Sequence, residues 1–222
     1  MLETFSQKLE WLGRKIWISL RAFGLSLITV LPSAILLVST SPVAQWGAAL
    51  LSVGIIVFMY WRAEKNGLAI WDRSFVTWKG LGLVVLTFTV AQLFQHLGYY
   101  IMELQGIEET SNELELTKIL VNIPFWVALI NMACLPAIAE EVITRGYLFK
   151  KLFEKHKMLG ILVSGLIFAF LHGPTDLGSW IIYASPGFIL AFLYYKTDYL
   201  IYPMAVHFIN NAWSVVAFYY FQ

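Results

Sequence analysis

Charge is what this chain has least of. Only 13% of its 222 residues are Asp, Glu, Lys or Arg, and the two signs nearly cancel, leaving a net +1. A soluble domain carries about 25% charged residues, so a soluble globule is excluded. Near-neutrality also argues against a nucleic-acid partner. Cysteine is almost missing. The one thiol, Cys134, excludes an intramolecular disulfide and any cysteine-cluster metal site, and it reads as a small apolar filler in a helix rather than a nucleophile. A cleavable leader is not expected either. The first apolar run is broken by Pro32 and has no clean small-x-small site before Pro42. No internal repeat, low-complexity run or soluble domain is visible.

What is present is apolar: 59% hydrophobic residues and a mean hydropathy of +0.70. The expected fold class is all-α, a polytopic membrane helical bundle forming a single membrane domain over 1–222, with about seven transmembrane helices plus an N-terminal amphipathic helix. The lead-in, 1–21, alternates apolar Phe5, Leu9, Leu12 and Ile16 with charged Lys8, Arg14, Lys15 and Arg21, a pattern that lies on a membrane surface. A span needs about twenty apolar residues. Candidate spans are Ala22–Ser39, Val43–Trp61, Gly80–Met102, a fourth from near Ile119 that continues past Glu140 toward Phe149, Met158–His172, Trp180–Tyr195 and Leu200–Phe221. The fifth and sixth are short, which predicts that they are tucked inside the bundle or tilted, and Pro186-Gly187 predicts a kink. Gln92, Gln95 and His96 share one face of the third span and read as helix–helix hydrogen bonding. Basic residues gather at the N-terminus, after the second and fourth spans and at Lys196, whereas the connection after the third span is acidic. The positive-inside rule then expects a multi-pass protein of the cell membrane with its N-terminus in the cytoplasm.

Against this apolar background, Glu140-Glu141 inside the fourth span is the most informative feature. An acid inside a membrane helix is expensive and is a functional-site hypothesis by default. Glu141 and Arg145 sit at i and i+4, acid first, the favourable order for a helix ion pair. Glu140 points about 100° away, without that partner. An unpaired carboxylate in a dry site suits a proton acceptor working near neutral pH; the alternative is that both acids cap the end of the span in water. Two other spans add Phe168 with His172, and His207 with Asn211, each at i and i+4. Counted from the nearest cytoplasmic lysine, Glu140, His172 and His207 lie roughly 15, 22 and 16 Å deep in a hydrocarbon core about 30 Å thick. Similar depth on three helices predicts one shared site, and the absence of a nucleophile near it favours an attacking water. Glu140 would take its proton, His172 would orient or polarise it, and His207 and Asn211 would donate to the oxyanion. Glu140, His172 and His207 are also a conceivable Zn2+ set. The zinc-binding His-Glu-x-x-His helix is absent, so no obligatory cofactor or metal is expected.

These motifs resemble the CPBP family, the CAAX proteases and bacteriocin-processing (Abi) membrane peptidases. The family pattern is Glu-Glu-x-x-x-Arg, Phe-x-x-x-His and His-x-x-x-Asn on separate helices. Here it reads Glu140-Glu141-Val142-Ile143-Thr144-Arg145, Phe168-Ala169-Phe170-Leu171-His172 and His207-Phe208-Ile209-Asn210-Asn211. The resemblance covers the catalytic helices, 119–221. Thr144 stands where many members carry an aromatic residue, with no expected consequence for the chemistry. The resemblance implies a cavity opening toward membrane and cytoplasm, Glu140 as general base, His172 as its partner on the water, and His207 and Asn211 as the oxyanion site. Glu141, Arg145 and Phe168 are implied to be supporting. The short chain resembles the bacterial branch, which implies peptide or membrane-protein substrates connected with bacteriocin or pheromone processing, self-immunity or signalling. Two other readings stay open: a non-catalytic membrane partner of a sensor kinase or immunity receptor, and a transporter with a Glu/His proton relay. Beyond the lipid bilayer and such a substrate, no partner or oligomeric state is legible.

Overall fold

A computed structural model describes residues 2–221; Met1, Gln222 and the side chains of 2–5, including Phe5 of the predicted amphipathic pattern, lie outside that description. Among the described residues every regular element is helical. We label them α1 (Leu2–Thr29), α2 (Leu31–Val38), α3 (Pro42–Lys65), α4 (Trp78–Leu104), α5 (Ser111–Leu120), α6 (Phe125–Leu152), α7 (Lys157–Leu171), α8 (Leu177–Thr197) and α9 (Ile201–Tyr220). Five stretches are long and apolar enough to cross a membrane: Ser6–Val38, Pro42–Lys65, Trp78–Leu104, Phe125–Leu152 and Leu177–Thr197. Length and composition therefore account for five of the seven expected spans. The fifth expected span, α7, has only 15 residues. The seventh, α9, has 20 residues but spends three of them on His207, Asn210 and Asn211.

Local sequence explains most helix ends. Ser41, Thr77, Thr110 and Asp176 are N-caps whose side chains accept an exposed backbone N–H of the first turn. Two boundaries differ from expectation. The fourth span starts at Phe125 rather than near Ile119, because Pro124 closes a separate amphipathic helix, α5. The sixth is not short. It gains a turn at its N-terminus from the Asp176–Ser179 capping box and remains one helix of 21 residues with Pro186 inside it. The first span is interrupted at Val30, just before Pro32. Together with the lead-in it forms a stretch of 33 residues, about 50 Å long. That exceeds the hydrocarbon core, so its first turns extend beyond it.

The lead-in docks through its charged side. Lys15 is buried and its ammonium donates to the carbonyls of Lys151 at 2.9 Å and Leu152 at 2.5 Å, the last turn of α6. Those carbonyls have no helical donor of their own. Arg14 bonds Glu154 at 2.7 Å beside them. Leu9, Leu12 and Ile16 face outward, which suits a helix seated against lipid.

Close backbone approach holds α8 at the centre. A Cβ on Gly178 would stand 2.5 Å from the carbonyl oxygen of Gly98 on α4, and one on Gly187 would stand 2.6 Å from that of Gly165 on α7. Small residues let membrane helices approach this closely, where packing rather than hydrophobicity drives association. The start of α9 is fixed from outside: Leu200 and Ile201 donate their free N–H groups to Ala69 and Ile70 of the α3–α4 connection, both at 3.0 Å. These contacts bring α6, α7, α8 and α9 around one cavity.

Candidate active site

The site begins with an irregularity of α6. Its helix widens into π-turns over Leu129–Cys134 and again over Val142–Leu152, with the α-helical Leu135–Glu141 between. Such turns recur at functional sites. Pro136 accounts for the first. It has no N–H for the carbonyl four residues back, that of Met132, and its ring crowds that carbonyl. Asn211 of α9 supplies the missing donor, its Nδ2 lying 3.1 Å from the Met132 oxygen. A second amide, Asn131, is buried just above, accepting from Ser52 of α3 at 2.7 Å and donating to the Val127 carbonyl at 2.8 Å.

The adjacent glutamates part company. Glu141 is fully buried. One oxygen, Oε1, accepts from Arg145 Nη1 at 3.0 Å and from His207 Nδ1 at 2.9 Å. Arg145, also fully buried, donates further to Thr144 Oγ1 at 2.5 Å and to the Gly187 carbonyl of α8 at 2.9 Å. Its guanidinium lies 4.7 Å from the Phe168 ring centroid, a cation–π contact in a desolvated setting. Glu140 faces the cavity, half-buried, with no hydrogen-bond partner for its carboxylate among the described residues. Thr144 belongs to this network after all: its hydroxyl donates to the Glu140 carbonyl at 2.5 Å while accepting from Arg145.

Phe168 is the pivot between the histidines, its ring 4.8 Å from that of His172 and 5.5 Å from that of His207. His172 is held on its other face by Tyr183 of α8, stacked at 4.7 Å. The Tyr183 hydroxyl bonds Thr110, the cap of α5, at 2.6 Å. Tautomers follow from the partners. His172 Nδ1 sits 2.8 Å from the Phe168 carbonyl, which can only accept, so Nδ1 carries the proton and Nε2 the lone pair. His207 Nδ1 likewise donates a hydrogen bond to Glu141 Oε1, which leaves its Nε2 for the cavity that the residue lines.

Glu140, His172, His207 and Asn211 all line one cavity of about 620 Å³, together with Asn131, Tyr183 and Pro186. Its volume is that of a ligand site. Glu108, Glu109, Glu113 and Glu115 also line it, at the end of the bundle away from the Lys150–Lys157 cluster, as do Val30, Ser33 and Leu37 at and beside the α1–α2 junction. Among the described residues, no three His, Cys, Asp or Glu side chains come together in a way that could hold a metal ion.

The comparisons with known proteins agree with this region. Residues 122–213, which include every motif position above, match the family model described as Rce1-like, type II CAAX prenyl endopeptidase. The chain is 34% identical over 108 residues to "UPF0177 protein YvdC" of Lactococcus lactis subsp. lactis (strain IL1403), covering 48% of this chain and 41% of that protein. It is 27% identical over 143 residues to "Putative membrane peptidase YdiL" of Bacillus subtilis (strain 168), covering 64% and 55%. A third relative, "UPF0177 protein YxdF" of the same Lactococcus strain, is 25% identical over 157 residues, covering 69% and 84%. The chain spans about half the length of the first two. No solved structure matches it. The resemblance read from the three motifs is borne out as a resemblance: residues 122–213 are similar to the Rce1-like CAAX prenyl endopeptidases.

Proposed function

We propose that this protein is an intramembrane endopeptidase that hydrolyses a peptide bond with a glutamate-activated water. The observation that carries the reading is the separation of the two glutamates. Glu141 is spent on Arg145 and His207, while Glu140, unpaired, shares a cavity with His172, His207 and Asn211. A water between Glu140 and the His172 Nε2 lone pair loses a proton to Glu140 as its oxygen attacks the scissile carbonyl carbon. The oxyanion takes hydrogen bonds from His207 Nε2, as imidazolium, and from the second N–H of Asn211 Nδ2. Collapse breaks the C–N bond, and Glu140 returns its proton to the leaving amine. The products are a carboxylic acid and an amine, which become carboxylate and ammonium when the remaining proton of the water passes between them. No step passes through a metal.

The proposed substrates are small peptides or membrane proteins, in the setting of bacteriocin or pheromone processing, immunity or signalling. The proposed location is the cell membrane with the N-terminus in the cytoplasm, as the basic residues at the end of α3, α6 and α8 indicate. That orientation turns the acidic end of the cavity lining outward, whereas the family resemblance implies an opening toward membrane and cytoplasm.

The test compares, by mass spectrometry, membrane and secreted peptides from cells carrying wild-type or Glu140→Gln protein at equal abundance. A precursor that accumulates only with Glu140→Gln, paired with a lost fragment, supports the peptidase. Matching peptidomes with a knockout phenotype rescued by both proteins would move the function to a non-catalytic membrane partner.

A further inference from the structure

A second polar feature lies outside the motifs. On α4, Gln92, Gln95, His96 and Tyr99 follow the i, i+3, i+4, i+7 spacing of one helix face. On α9, Asn210, Ser214 and Ala217 form the opposing face. Between them lies a chamber of about 310 Å³, with Glu113 of α5 at one end. Much of this polarity is met by the protein itself: Gln92 Nε2 donates to Gln95 Oε1 on its own helix and to Asn210 Oδ1 on α9, both at 2.7 Å, the Tyr99 hydroxyl donates to the Glu113 carboxylate, and the Ser214 hydroxyl to the Asn210 carbonyl at 3.3 Å. One ring is less fully met. His96 spends Nδ1 on the Gln92 carbonyl at 2.8 Å, and its ring is exposed to the chamber. Polar groups around a space within the bilayer are costly to face with hydrocarbon and are satisfied by water. Gln95, Tyr99, Glu113, Asn210 and Ser214 line both this chamber and the main cavity, so they are the wall between the two.

We propose that the α4–α9 seam is a water conduit that supplies the hydrolytic water to Glu140 and His172 from the side while peptide occupies the main cavity. The inference rests on the peptidase reading. Each cleavage consumes one water, whose oxygen ends in the new carboxylate and whose protons are shared between the products. A peptide seated in the main cavity displaces bulk water from Glu140, and the seam, reaching the cavity beside Asn210, keeps one route open.

The test uses the full chain in lipid vesicles, with Cys134→Ser removing the one native thiol. Single cysteines are placed at Ala217 of α9, which lines only the chamber, and at Leu93, an exposed position of α4 away from it. Both are reacted with a charged, water-soluble methanethiosulfonate. Ala217→Cys is expected to react roughly ten-fold or more faster than Leu93→Cys, as a thiol in water does relative to one in hydrocarbon; equal rates overturn the conduit. In parallel, Ala217→Phe fills the chamber. On the precursor found in the peptidome comparison it is expected to lower kcat severalfold with KM and melting temperature held. Wild-type kcat in Ala217→Phe overturns the supply role even if Ala217→Cys is labelled. If wild-type protein cleaves no precursor, the peptidase reading and the supply role fail together, while labelling still decides whether the seam holds water.

Discussion

The two sides of α6 at positions 140 and 141 solve opposite problems. On the Glu141 side two opposite charges are buried together: Glu141 Oε1 accepts from Arg145 and His207, and Arg145 also donates to Thr144 and the Gly187 carbonyl, while Glu141 Oε2 and Arg145 Nε have no partner among the described residues. On the Glu140 side the carboxylate is left without a partner beside a cavity. Neighbours in sequence thus differ in kind: one is fixed by the fold, the other is left available by it. A buried pair is costly to half-remove, because the surviving charge stays in the interior. An unpaired cavity carboxylate can be neutralised without that penalty. The contrast explains how a membrane helix carries two adjacent acids without losing its stability.

The strongest way to break the contrast is Arg145→Met, which strands the Glu141 carboxylate. We expect a loss of about 3–5 kcal/mol, measured as a collapse of folded yield and of the thermal melt in detergent. Arg145→Met combined with Glu141→Leu should recover most of it. Glu140→Gln should do the reverse, lowering peptidase activity by about 10²–10⁴-fold with an unchanged melting temperature; a fall in stability as large as that of Arg145→Met would erase the distinction between the two acids. Smaller still is Ser52→Ala, which leaves the buried Asn131 oxygen without its donor and should cost about 1–3 kcal/mol by denaturant titration.

The least effect concerns a charge outside the spans. The hydrogen bond from Arg14 holds the Glu154 carboxyl below its ordinary range. A lowered carboxylate stabilises the fold above its unfolded value and loses that contribution as pH falls through its folded one. The docking of α1 on the end of α6 should therefore loosen on acidification below the ordinary carboxylate range. Hydrogen exchange at the α6 C-terminus should reveal it, and Glu154→Gln should show the same loosening already at neutral pH.

How much of this was legible in the sequence depends on whether a contact runs along a helix or between helices. The Glu141–Arg145 pair follows from period alone, and it formed. So did the shared faces of Phe168 with His172 and of His207 with Asn211. What period cannot provide is helix rotation. The bond from His207 to Glu141 joins residues 66 apart, and that from Arg145 to Gly187 joins residues 42 apart. Both depend on how α8 and α9 sit against α6. Tyr183 was missed for the same reason, since no spacing marks it as the partner of His172. One signal was available. Pro136 removes the N–H that would serve Met132, so a donor from another helix was to be sought there, and Asn211 is that donor. The span count ran ahead of the structure because α7 is short and α9 turns polar residues toward the cavity rather than lipid.

The Lys15 contact has a consequence for biogenesis. Its ammonium is bonded to a carbonyl 137 residues further along the chain. At a synthesis rate of about 5–20 residues per second, α1 emerges on the order of ten seconds before its acceptor exists. Through that interval the helix has to wait at the membrane with a cation not yet placed, and its outward Leu9, Leu12 and Ile16 are what can hold it there. The last turn of α6 then captures Lys15 on arrival, so the first helix made is among the later ones to be locked.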